Sequence, residues 1–362
     1  MMNNKIVPVV VVVVTVLASV GIVYVIQQEE VPTPNTFGVW DARDRIVQVP
    51  NEIDSILAIG PCSLQIVSFF DAVNKVKFLD GSSNGEKLSD FNRTHSFILK
   101  DLLDGLPMVD WNDAEQVVMA APDLIISSMV SKSDLDAFQK RVGIPVFAIN
   151  ADVEFGSREM GLQIGSLGIA FGEVERANEL NNGILDKLNY IRNKSEVIDG
   201  LTAYACGMMY YGAGNFLKTS GDYYPFYYAK VENVYPPAVN GQPYNTDLET
   251  LISKNPSMIF IDGSSLASVK AYIASNKGLL SSVDAISEGK VYKTMIYKNW
   301  GTNWVNQIIN VYFVADVLHP GEFGNIEDNA NEIIQLFYPG TSVTYAMLAG
   351  AQTGGGCGTV AI

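Results

Sequence analysis

The chain has 362 residues, 48% of them hydrophobic and 17% charged, which is enough for two α/β domains with separate cores and too apolar for a disordered chain. Its formal net charge of -15 excludes a nucleic-acid partner, because phosphate binding needs clustered Lys and Arg; the acidity otherwise serves solubility. The three cysteines, Cys62, Cys206 and Cys357, form no CxxC pair and so predict neither a zinc ribbon nor a disulfide framework. Two histidines, His95 and His319, are too few for a His-rich cage around a bare metal ion.

In chain order, the first expected element is a membrane anchor. After Lys5 an uncharged apolar run covers residues 6–26, long enough at ~1.5 Å per residue to cross a ~30 Å hydrocarbon core as a helix. Lys5 precedes it while Glu29 and Glu30 follow it, which places the N-terminus in the cytoplasm and the remainder outside. The run exceeds the ~7–15-residue core of a cleavable signal peptide and ends in Tyr24-Val25-Ile26-Gln27-Gln28 rather than in small residues, so a retained single-pass anchor is expected. Pro32 and Pro34 then stiffen a short tether, completing a first segment over residues 1–36.

Short β-branched runs alternating with helical periodicity come next. Arg45-Ile46-Val47-Gln48-Val49, Ser55-Ile56-Leu57-Ala58-Ile59, Lys75-Val76-Lys77-Phe78-Leu79, Asp123-Leu124-Ile125-Ile126 and Pro145-Val146-Phe147-Ala148-Ile149 are predicted strands. Ser63 is placed to cap the helix after Gly60-Pro61. Strands separated by helices imply a parallel sheet with right-handed crossovers, an N-terminal α/β lobe over residues 37–152. Residues 155–193 contain no proline and carry apolar positions at spacings of three or four, from Met160 to Ile191. They are predicted to form one long helix, either bridging two lobes or serving as an ordinary core helix, within residues 153–197.

The pattern then recurs over residues 198–340, with strands expected at Ala203-Tyr204-Ala205-Cys206, Met258-Ile259-Phe260-Ile261 and Lys290-Val291-Tyr292. Two segments look like copies of each other. Glu115 opens a short helix that Pro122 ends before Asp123-Leu124-Ile125-Ile126, and Glu249 opens one that Pro256 ends before Ser257-Met258-Ile259-Phe260. Glu suits a helix N-terminus through the macrodipole, and Pro cannot continue a helix. The expected fold is therefore α/β: two Rossmann-like lobes with central parallel sheets joined by a single long α-helix, preceded by a transmembrane helix. The Gly-rich segment at residues 341–362 is predicted to be a mobile tail.

This layout resembles the periplasmic solute-binding proteins of the iron-siderophore and cobalamin class (class III), which serve ABC importers. The resemblance covers most of residues 37–335. It rests on Asp41-Ala42-Arg43-Asp44-Arg45-Ile46-Val47-Gln48-Val49-Pro50, on Ser55 through Gly60-Pro61, on the paired Glu-to-Pro segments and on Gly289-Lys290-Val291-Tyr292. It implies a ligand held between the lobes and a partner permease of two subunits with its ATPase. It further implies that Glu115 and Glu249 dock onto permease arginines; capping their own helices is the alternative role, and the two are compatible.

By the same resemblance the cleft is lined by Gly60, Pro61, Cys62 and Ser63, with Trp111, from the first lobe. The second lobe would add Tyr210, Tyr211, Thr219, Ser220, Tyr223, Tyr224 and Trp300. An aromatic-lined cleft with few polar handles suits a broad metal chelate such as a ferric siderophore, haem or corrinoid, although part of this tyrosine-rich stretch must serve as core. Few Lys or Arg residues fall in the cleft segments, Lys218 being the main exception, which disfavours anionic catecholates. Tyr also ligates ferric iron directly, so the sequence leaves the metal ligands unknown, and leaves open a reading in which a free metal ion or another small solute is carried. A surface protein without a transport role explains the anchor but not the duplicated lobes. No intrinsic cofactor is expected. The chain contains no GxSxG, HExxH or Walker loop in a suitable context, so it reads as a binding protein and not an enzyme.

Overall fold

The computed structural model describes residues 15–16, 22–23, 35–128, 131–238 and 241–362. Apart from four residues, the run at 6–26 lies outside these. Those four form short strands, β1 (Thr15–Val16) and β2 (Ile22–Val23), paired antiparallel, and correct the expected helix at these positions. Their residues are Thr, Val and Ile, whose β-branching lowers helix propensity and favours strand. No helix among the described residues is long and apolar enough to cross a membrane.

The body opens with an antiparallel hairpin of β3 (Thr36–Trp40) and β4 (Ile46–Pro50). Arg45 anchors its turn: the guanidinium meets the Asp41 carboxylate at 2.7 Å and Asp136 at 2.8 Å and donates to the Val146 carbonyl. The first lobe is then built from β5 (Ile56–Ile59), α1 (Ser63–Val67), β6 (Val76–Asp80), α2 (Thr94–Leu103), β7 (Met108–Val109), α3 (Ala114–Ala120), β8 (Leu124–Ser127), α4 (Lys132–Val142) and β9 (Val146–Ala148). Its five strands are all parallel, in the order β7-β6-β5-β8-β9. β5 and β8 are buried at every position, as expected of central parallel strands covered on both faces.

The expected single bridging helix is two helices, α5 (Arg158–Phe171) and α6 (Val174–Lys194). A left-handed C-cap at Gly172 (φ 73) ends α5, and the chain folds back so that Asn181 on α6 donates to the Gly161 carbonyl on α5 at 3.0 Å. Apolar spacing survives such a reversal because both helices turn their stripes to the same core, so periodicity alone could not show the break. The 21-residue α6, ~31 Å long, leads on to the second lobe.

The second lobe contains β10 (Thr202–Cys206), β11 (Lys218–Thr219), α7 (Tyr224–Ala229), β12 (Glu232–Asn233), β13 (Tyr244–Asn245), α8 (Leu248–Lys254), β14 (Met258–Asp262), α9 (Leu266–Ser275), α10 (Lys277–Leu280), α11 (Asp284–Ser287), β15 (Val291–Thr294), α12 (Trp304–Leu318), α13 (Ile326–Phe337), α14 (Tyr345–Ala351) and β16 (Gly358–Thr359). Its sheet runs β13-β11-β10-β14-β15-β16, with β12 also on β10. β10, β12, β14 and β15 pair in parallel, whereas β11 and β16 pair antiparallel with their neighbours, so this sheet is mixed rather than purely parallel.

The C-terminal segment is structured within this lobe rather than forming a free tail. β16 pairs with β15, Cys357 donates its N–H to the Tyr345 hydroxyl at 2.7 Å, and Gln352 donates to Thr94 of the first lobe at 3.0 Å. Its glycines permit close backbone approach: a Cβ at Gly354 would overlap the Gly263 carbonyl.

One hydrophobic core runs through both lobes. Helix α12 is buried from Trp304 through Ala315 and lies between them. Trp304 packs against Phe69 and Phe155 with ring centroids at 6.1 and 5.7 Å, and both rings also meet Phe337. Its buried amides are all bonded: Asn310 bridges the Met295 N–H and carbonyl, and Asn306 joins the Ile296 carbonyl, Gln352 and Thr94.

Candidate ligand cleft and docking surface

In the first sheet the chain winds outward from β5 in both directions, so the crevice at the β5 and β8 C-termini is a topological switch point, where open α/β sheets receive ligands. The Gly60–Pro61–Cys62–Ser63 turn occupies it. The backbone N–H of Gly60 donates to Asp80 at 2.9 Å, and Ser128 from the neighbouring loop lies against Gly60. Gly60 and Pro61 are partly exposed, but Cys62 and Ser63 are buried. Cys62 sits at φ 63 and is itself the N-cap of α1; Ser63 does not cap, because its hydroxyl donates to the Ile59 carbonyl at 2.6 Å. The Cys62 thiol points to the carbonyls of Thr302 (3.5 Å) and Ala151 (3.7 Å), and burial pushes its pKa up, which keeps it a protonated packing group.

From the second lobe, Tyr210 and Tyr211 follow β10 and are half-buried and exposed respectively. Trp300 donates its N–H to the Tyr210 carbonyl at 3.2 Å, and Lys298 lies over the Tyr210 ring at 5.9 Å. Lys298 also pairs with Asp152 of the first lobe at 3.8 Å. The seam therefore gathers Pro61, Asp152, Tyr210, Lys298 and Trp300.

Several expected site residues fall elsewhere. Thr219 donates to the Ala205 carbonyl inside the sheet, and Ser220 is buried with its hydroxyl on Asp222. Tyr223 is a core ring between Phe226 and Tyr297, while Tyr224 is only half-buried. Trp111 packs edge-on against Phe138, beyond the edge strand β7 and two strands from β5. Trp300 does not present a free face, because its ring is stacked on the Arg93 guanidinium. Position after a strand fixes the loop to which these side chains belong, but not which residues of it turn inward.

Asp152 and Glu154 escape the sequence reading. They follow β9, so the strand-terminus rule applied to Pro145-Val146-Phe147-Ala148-Ile149 is the signal that could have found them. Glu154 accepts from the Tyr297 hydroxyl at 3.3 Å, and Gln307 donates to that hydroxyl at 2.6 Å. Burial pushes Glu154 up to about 7, with Asp222 and Asp152 adding to the rise and Lys298 and Tyr297 opposing it. Burial also pushes Asp262 up to about 6, against hydrogen bonds from Ser264 and the Tyr297 N–H. Glu86 goes the other way: burial would raise it, but His95 and Arg93 hold it at about 2.

The signs of these shifts predict a stability profile. Between the ordinary glutamate value of 4.5 and about 7, the native state holds a proton on Glu154 that the unfolded chain has lost, so stability falls as pH rises through this window. Glu86 instead stabilises above 4.5, and its contribution is lost as pH falls toward about 2. With Asp262, whose contribution also falls from its ordinary value of 3.8 upward, urea midpoints should therefore peak at about pH 4 and decline above it. Glu154→Gln should flatten the decline above about pH 6, leaving the part due to Asp262; an unchanged decline in that variant would overturn the assignment.

The paired helices α3 and α8 each lead into the start of a strand, β8 and β14, so their N-termini lie toward the cleft edge of the two sheets. Glu115 and Glu249 occupy their first turns and are exposed. Neither is the cap. Asp113 accepts from the Glu115 and Gln116 N–H groups, and Asp247 from Thr250, leaving both glutamates unengaged by capping. Beside Glu115, the exposed Val118 and Met119 and the side chain of Arg141 line a shallow depression.

The sequence matches the profile of the periplasmic binding protein family over residues 79–295, more than half of the chain. The chain belongs to this family of periplasmic binding proteins and is a binding protein rather than an enzyme. Among solved structures, the ABC transporter solute-binding protein of Sulfurospirillum deleyianum is 20% identical, with a TM-score of 0.62 over 85% of this chain and 96% of its own. The Haemophilus influenzae molybdate-binding protein MolA, bound to molybdate, is 18% identical, with a TM-score of 0.64 over 85% of this chain and 99% of its own. A protein of the Fe3+-hydroxamate transport system of Saccharomonospora viridis is 14% identical, with a TM-score of 0.51 over 78% and 99%. These likenesses show the two-lobe fold. No curated protein matches the sequence.

Proposed function

We propose that the protein captures a metal chelate of neutral or positive charge, of the ferric hydroxamate kind, between its lobes outside the cytoplasm and delivers it to a two-subunit permease through Glu115 and Glu249. The observation that carries the ligand class is the make-up of the seam. Tyr210 supplies aromatic surface beside Lys298 and Asp152, with Glu154 near both charges, and Lys298 is already paired with Asp152. Broad, partly apolar ligands suit aromatic walls, whereas an anionic catecholate or a bare oxyanion would find Lys298, the cation of the seam, already engaged by Asp152. The Saccharomonospora neighbour, a protein of an Fe3+-hydroxamate transport system, is consistent with this class; the molybdate bound by MolA is the alternative, disfavoured here by the pairing of Lys298.

Titration of the purified protein with a ferric hydroxamate, haemin, cyanocobalamin, a ferric catecholate and molybdate, read by thermal shift and absorbance, tests the reading. A neutral or cationic chelate at a hundred times its Kd should stabilise the protein by about 2.7 kcal/mol. Response to molybdate or catecholate alone would overturn the ligand class.

Retention at the membrane is supported by the length of the apolar run at residues 6–26 and by its flanking charges. The full chain should sediment with membranes and resist salt extraction; release by salt would oppose anchoring.

A further inference from the structure

The two lobes meet through contacts of two kinds. Around Trp304 the contact is apolar and fully buried. Beside it, one short loop of the second lobe, residues 298–302, makes a contact with the first lobe from every position. Lys298 pairs with Asp152, and Asn299 donates to Asp90 at 2.9 Å. The Trp300 ring lies 4.4 Å from the Arg93 guanidinium. Gly301 packs so closely on Cys62 that a Cβ there would overlap the thiol, and the Thr302 carbonyl accepts from Gln65 at 2.9 Å.

The loop is pinched into a turn by a bridge between Lys298 and Thr302. Its tip residue, Trp300, has φ 54, and Cys62, under Gly301, has φ 63, left-handed backbone that side-chain-bearing residues adopt at a cost. The first-lobe half of the contact is rigid. Arg93 is buried, bonded to Glu86 at 2.9 Å and lies near Asp90, and Glu86 also meets His95.

We propose that residues 298–302 form a latch across the cleft, in which Trp300 stacked on Arg93 holds the lobes shut over the Pro61–Cys62 turn, while the Trp304 cluster stays assembled when the latch lifts. Polar contacts can exchange protein for water partners when the loop moves, which the buried aromatic cluster cannot do without exposing apolar area. The proposal rests on the two-lobe architecture and not on the identity of the ligand, so its failure would leave the ligand class standing.

The thiols report the opening. Cys62 is 2% exposed directly beneath the loop, whereas Cys206, in β10 and 0% exposed, is reached only when the second lobe unfolds. Iodoacetamide labelling of the ligand-free protein, resolved per cysteine by mass spectrometry, should be about tenfold faster at Cys62 in Trp300→Leu than in the unmodified protein, the scale of a cation–π contact between exposed and fully desolvated, as the half-buried Trp300 is. Cys206 should be unchanged. Trp300→Phe, which keeps a ring over Arg93, should restore most of the protection. An unchanged Cys62 rate in Trp300→Leu, a parallel rise at Cys206, or Trp300→Phe labelling as fast as Trp300→Leu would each overturn the latch.

Discussion

Trp304→Ala is expected to cost about 3–5 kcal/mol, the upper range for truncation of a single core side chain. Trp304 is 0% exposed, touches Phe69 of the first lobe and Phe155 at the base of the linker, and donates its indole N–H to the Val153 carbonyl at 2.8 Å. Truncation removes a full indole, opens a cavity that two other rings cannot fill without leaving Phe337, and orphans a buried carbonyl. Domains of ordinary stability have only about 5–15 kcal/mol in hand, so the variant should be close to unfolding at physiological temperature. Urea titration followed by circular dichroism measures the loss. Because the cluster belongs to both lobes, the unmodified protein should unfold in one transition; two separated transitions, or a loss under about 1 kcal/mol in the variant, would contradict a shared core.

The second large effect is on transport. Replacing Glu115 and Glu249 together by Lys should reduce uptake that depends on this protein to background, while affinity for the captured chelate changes less than about twofold. Asp113 and Asp247, not the glutamates, cap α3 and α8, so the helices keep their caps. A Lys in each first turn opposes the macrodipole by only about 0.3–1 kcal/mol, too little to unfold the lobes. The exposed side chains of Val118 and Met119 next to Glu115 provide an apolar contact beside the charge, as a protein partner requires. Each single reversal should give a partial loss, since the two sites lie on different lobes. Uptake that persists in the double variant would refute docking through these residues, and a loss of ligand affinity would show that they act on the cleft.

Much of the architecture was legible in the sequence because it is written locally. The runs at Ile56 to Ile59, Leu124 to Ile126 and Met258 to Ile261 are strands because β-branched and apolar residues without interruption have no other buried form at that length. The Glu-to-Pro segments became α3 and α8, each ending in a left-handed residue, Ala121 or Asn255, before the proline. Loop membership of the cleft turn, Gly60 to Ser63, was also legible from where the strand stops.

Other features depend on partners distant in sequence. No local signal shows that Trp300 stacks on Arg93, that Asn306 answers Thr94, or that β16 adds to β15 after a run of glycines. The break at Gly172 is a single left-handed residue within an unbroken apolar periodicity, and only the return of α6 along α5 reveals it.

By itself, the sequence determined the two-lobe α/β plan and the exposed acidic pair, because strand and helix periodicity and capping act within a few residues of each other. The tertiary structure alone decided which of the cleft-loop side chains face the seam, that Asp152, Glu154 and Lys298 share it, and that the lobes are joined by one core around Trp304. Burial and charge pairing at such sites are set by groups brought together from opposite lobes, over a separation of more than 200 residues between Cys62 and Thr302, where no local preference can act.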